Sequence, residues 1–128
     1  MSERGEQLLM VMRGDEQAAR ADVAAFFEAR GWVPRVREDG SIAYERGSRG
    51  RTVLLGALAG GRFFLTGIIE TREDAHTTDV IYRWGPSEGL ALGGTMGRQR
   101  AGRAHAETAD ALQKHLESTG RLLRTSRR

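Results

Sequence analysis

The sequence predicts an α+β domain: an antiparallel meander sheet of five to six strands packed against a long C-terminal helix, with one shorter N-terminal helix. Three observations predict it. Between Trp32 and Trp84 apolar residues tend to recur at every second position, with tight-turn signals between the runs. Between Glu16 and Arg30 the apolar spacing is helical. From Gly93 to Leu123 it is helical again, over a much longer stretch.

The elements follow in order. Residues 1–6 are polar and expected to fray. Gln7–Arg13, QLLMVMR, is apolar on both faces and short, which suits a buried strand, with a helical turn as the alternative. Gly14-Asp15 breaks the run, and Asp15 can cap the helix that follows. In that helix Ala19, Val23, Phe26, Phe27 and Arg30 keep helical spacing, and Gly31 ends it. Trp32–Arg37 reads as a strand, and Pro34 favours a sheet edge because it lacks a backbone donor. Asp39-Gly40 is a hairpin turn signal. Ser41–Arg46 then carries Ile42 and Tyr44 on one face. Gly47–Gly50 turns the chain. Arg51–Leu58 is a strand, reversed by Ala59-Gly60-Gly61. Arg62–Thr71 has high β-propensity, with Phe63, Leu65, Gly67 and Ile69 on one face. Glu73–His76 is a polar turn. In Thr77–Trp84 the residues Thr78, Val80, Tyr82 and Trp84 alternate with Asp79, Ile81 and Arg83. GPSEG turns the chain again, and Leu90–Leu92 extends a last short strand.

The long helix is expected to begin near Thr95, a possible cap after Gly93-Gly94, and to stop at Gly120. With Leu112 at the centre of a helical wheel, at roughly 100° per residue, Ala101, His105, Thr108, Leu116 and Thr119 lie within about 40°. Arg100, Arg103, Glu107, Asp110, Lys114 and Glu117 lie on the far side. That is a narrow apolar stripe with a charged back, the pattern of a helix laid on a sheet. His105 is the one titratable group near the stripe's centre. A bonded core histidine explains it, and so does a polar contact in a pocket under the helix. The basic end, 121–128, is expected to be a mobile tail.

The 128 residues suit one domain, 1–128, long enough to bury a core without staples. With no cysteine, disulfides and thiolate metal sites are excluded. No apolar run approaches the ~18 residues of a membrane span. The N-terminus is short and acidic for a signal peptide, so the cytoplasm is the expected location. The net charge of +3 is a small excess, and Lys114 is the sole lysine. Such an excess is weak ground for nucleic-acid binding.

The motifs point to no catalytic constellation. GGTMGRQR, residues 93–100, matches neither the Walker loop nor the dinucleotide fingerprint, and reads as a flexible helix entry. Arg98, Arg100, Arg103, Arg121, Arg124, Arg127 and Arg128 offer a basic stripe for phosphates or an acidic partner, but Glu107, Asp110 and Glu117 interrupt it. Glu73, Asp74, His76 and Asp79 read as an ordinary polar turn rather than a metal site. No serine sits in a nucleophile elbow, and His105 has no visible acid–base partner. No cofactor is expected.

The closing segment, the strand TTDVIYRWG followed by a long helix ending ADALQKHLES, resembles the helix-grip proteins, the START and Bet v1-like (SRPBCC) family. So does the order strand, helix, meander, long helix. The resemblance implies a curved sheet around the last helix and a cavity for an apolar ligand. Two departures reduce the room for it. One helix follows the first strand where the family has two, and the meander is about a strand short. A two-layer α+β sandwich with both helices on one face fits the same pattern. The leading expectation is a small apolar ligand held by His105, Tyr82, Trp84, Thr108 and Leu112. The alternatives are a nucleic-acid or acidic-partner module using the arginines, and a homodimeric interaction module without ligand.

Overall fold

The computed structural model describes residues 6–46, 65–84 and 90–127. The apolar run near the N-terminus forms strand β1 (Glu6–Arg13), which buries Leu8, Met10 and Met12 on one face. Gly14, at φ +109, turns the chain into helix α1 (Glu16–Ala29). Asp15 caps it, accepting from the Ala18 N–H at 2.8 Å. Glu73 accepts from the Glu16 N–H at 2.8 Å, so two of the helix's free first-turn donors find carboxylates. Ala19, Val23, Phe26 and Phe27 form its buried stripe.

Strands β2 (Val33–Val36) and β3 (Ile42–Arg46) make the expected hairpin. Gly40 takes φ +89 in its turn, and the Arg37 N–H donates to Ser41 O at 2.8 Å. Pro34 lies in an edge strand, as its missing donor requires. Strands β4 (Leu65–Glu73) and β5 (Thr77–Trp84) pair antiparallel in the middle of the sheet, with Ile69 opposite Tyr82. Their alternation holds: Leu65, Ile69, Val80, Tyr82 and Trp84 all enter the core.

Helix α2 (Leu90–Ser118) lies on the same sheet face as α1. His105, Ala109, Leu112 and Leu116 are fully buried beneath it, and Thr108 nearly so. Arg103, Glu107, Asp110, Lys114 and Glu117 are exposed on its back. The six described strands run in the order β2-β3-β4-β5-β1-β6, every neighbouring pair antiparallel. The result is a two-layer α+β arrangement, compatible with a helix grip, with one shared core between the sheet and both helices.

Three expectations are corrected. Residues 121–127 are not a free tail, and Arg128 lies outside the described residues. Leu122–Arg127 form strand β6, paired antiparallel with β1. Leu122 packs on the core, Arg121 pairs with Asp22 of α1, and Arg127 reaches Asp110 of α2 at 2.8 Å. These contacts fix a segment whose composition alone favours solvent. Leu90–Leu92 are the first turn of α2 rather than a strand, so Thr95 lies inside the helix and is not its cap. Leucine and alanine are strong helix formers, and the Gly93-Gly94 pair, at about 1 kcal/mol each, does not break the run. At the other end Gly120 takes φ +78 and its N–H donates to Glu117 O, stopping the helix where expected. Glu6, expected to fray, belongs to β1. The expected frayed residues 1–5, the strand at 51–58, Phe63 and Phe64, and the turns at 47–50, 59–61 and 85–89 lie outside the described residues.

Candidate functional site: a histidine–tyrosine pair among aromatic rings

Alternation along β5 places Tyr82 and Trp84 on the face that α2 covers. The helical spacing of α2 brings His105 down onto them. Its Nδ1 and the Tyr82 hydroxyl are hydrogen-bonded at 2.6 Å, and both residues are 0 % exposed. The imidazole stacks on the Trp84 indole, with centroids 5.7 Å apart and planes 15° from parallel. Trp32 stands on another side of it, at 6.2 Å.

The rings continue away from this pair. Tyr82 meets Trp84 at 5.0 Å and Phe27 at 5.8 Å. Phe27 stacks on Tyr44 at 4.3 Å and meets Trp32 and Phe26 edge-on. Six of the chain's eight Phe, Tyr and Trp residues thus form one connected cluster around the hydrogen-bonded His105–Tyr82 pair. Each such ring contact adds roughly 0.5–1.5 kcal/mol beyond the area it buries. Burial holds the Tyr44 hydroxyl above its ordinary pKa, and the Glu28 charge adds to the effect.

Gly67 makes the arrangement fit. A Cβ there would run into the Tyr82 ring, with Cζ and the hydroxyl oxygen each at 2.9 Å. A glycine inside a strand is the sign of such a close approach.

Of the five expected site residues, His105, Tyr82 and Trp84 are brought into mutual contact. Thr108 is buried, but its hydroxyl donates to Ala104 O at 2.7 Å within the helix. Leu112 is buried two turns further along α2 and joins the core. Sequence reasoning missed Trp32, read only as a strand residue, and Phe27, read only as part of a helically spaced apolar set. The role of Gly67 was signalled by its place on the inward face of β4.

The remaining motifs resolve into structural contacts. Glu73 binds the Glu16 N–H and Asp74 accepts from the Ala75 N–H. Among the described residues no group of three or more His, Asp or Glu stands together as metal ligands would. His115 bonds Asp22 O at 3.1 Å and packs against the Phe26 ring, at the boundary of the stripe. Among the described residues no helix is long and apolar enough to cross a membrane.

No family model matches the chain, and no curated protein matches it.

Proposed function

We propose that this domain binds a small, largely apolar molecule between the sheet and α2, without catalysis. The observation that carries the reading is the His105–Tyr82 hydrogen bond, wholly buried and enclosed by Trp84 and Trp32. Imidazole and phenol together offer both donor and acceptor capacity inside an aromatic wall. That combination suits an apolar body with one acceptor or acid group. Leu112 and Thr108 contribute apolar and methyl surface along the same helix face. The resemblance to helix-grip (SRPBCC) proteins supports the reading, because it implies a ligand between the sheet and the last helix. Strand β6, which follows that helix, is this chain's own departure from the order seen in the resemblance.

The experiment is an NMR titration with 8-anilinonaphthalene-1-sulfonate, an apolar aromatic probe with one acid group. It is run on the wild type, on His105→Leu and on Tyr82→Phe. Saturable shifts at residues 82, 84 and 105, weakened by both substitutions, are expected. Shifts elsewhere on the surface, or unchanged affinity in both folded variants, would overturn the reading. In that case His105 and Tyr82 are a structural strut between α2 and the sheet.

A further inference from the structure

Among the described residues the sheet has two edges, and they are built differently. At one, β2 has only four residues and contains Pro34, which lacks the N–H a partner strand would use. At the other, β6 has six residues, no proline and no glycine, and all but Leu122 are exposed. In an antiparallel strand of this length about three residues turn their N–H and C=O groups away from the neighbour already paired. On β6 these groups face outward from β1.

The charge along this edge is mainly basic. Arg13, Arg121, Arg124 and Arg127 line it. Arg121 is held by Asp22 and Arg127 by Asp110, while the Arg13 guanidinium donates to Gly120 O. Arg124 is exposed and has no carboxylate partner among the described residues. It stands opposite Val11, on the face away from the helices, whereas Arg127 stands opposite Leu8, on the helix face. An incoming strand would therefore meet arginine on both faces.

We propose that β6 is a docking edge for an extended, acidic peptide segment of another protein, added as a further strand of the sheet. A second copy is disfavoured in the registers that set Arg124 or Arg127 against an arginine of its mate. The arginines thus oppose such self-pairing while leaving an acidic strand admissible. A nucleic acid would not use the outward backbone groups. This site is separate from the aromatic cluster, and neither proposal depends on the other.

The test uses the full chain and three probes: a capped peptide of alternating glutamate and valine, its lysine-for-glutamate counterpart, and a single-stranded oligonucleotide. NMR shifts and amide exchange are read along the whole sheet. The acidic peptide is expected to bind saturably and to slow exchange at alternate residues of 122–127, while the lysine peptide does not. Arg124→Glu should weaken it about two- to fivefold, the range for an exposed ion pair. Arg124→Gln serves if the reversal disturbs the fold. Equal binding of both peptides, protection at β2, no binding at millimolar peptide, or oligonucleotide binding without amide protection would each overturn the proposal. So would concentration-dependent protection of β6 with no peptide present, which would assign the edge to a second copy.

Discussion

A methyl group at Gly67 has nowhere to go, because the Tyr82 ring already lies across that point of β4. Backbone and a core aromatic both resist displacement. Gly67→Ala should therefore destabilise the domain by about 1–3 kcal/mol, measured by urea unfolding. A neutral result would show that Tyr82 does not lie over β4. Tyr44 gives a different prediction. Burial raises its pKa in the folded state above the ordinary 10.0. Below about pH 10 the hydroxyl is protonated whether the chain is folded or not, and contributes no slope. As pH rises further the unfolded chain loses the proton first, and stability falls until the folded pKa is passed. Tyr44→Phe should flatten this alkaline decline, and an unchanged slope would contradict the assignment. At this scale much was legible in the sequence. The wheel of α2 placed His105 on the apolar stripe, and alternation placed Tyr82 and Trp84 together on one face of their strand. The part of Trp32 was not legible, because it depends on how the chain leaves α1 at Gly31, whose φ of +84 no periodicity encodes.

Helix α2 is fixed to the sheet by Leu112 and Leu116, both wholly buried. Leu112→Ala should cost about 2–5 kcal/mol, and an unchanged melting temperature would mean that another helix face meets the sheet. Strand β6 is the element that composition concealed. RLLRTSRR has no clear alternation, and its two leucines fall where the pairing with β1 shifts register. Its place is set by distant partners, Asp22 and Asp110, which local sequence does not reveal. Amide exchange should show protection at the residues of β6 bonded to β1, slower than for an unstructured peptide. Exchange at the free-peptide rate throughout 122–127 would return this segment to a tail. Leu90–Leu92 misled for a simpler reason: three residues are too few to separate a helical period from an alternating one.

At the scale of the molecule, alternation told which residues face inward but not which strands are neighbours. The placement of β1 between β5 and β6 arises because the first strand joins the end of the meander and the last strand then covers its other edge. Packing of both helices on one face follows from the shared core of Phe27, Leu112 and the inward residues of the sheet. Across that core His105 of α2 and Tyr82 of β5 are hydrogen-bonded, a buried polar contact between the two layers. The proposed binding site rests on the same pair. Its energy is measured most directly by a double-mutant cycle of His105→Leu and Tyr82→Phe, followed by urea unfolding. A coupling of about 0.5–3 kcal/mol is predicted, the range for side chains in direct contact. Costs that add to within about 0.3 kcal/mol would mean that the two side chains do not act together, and would contradict the arrangement of helix on sheet described above.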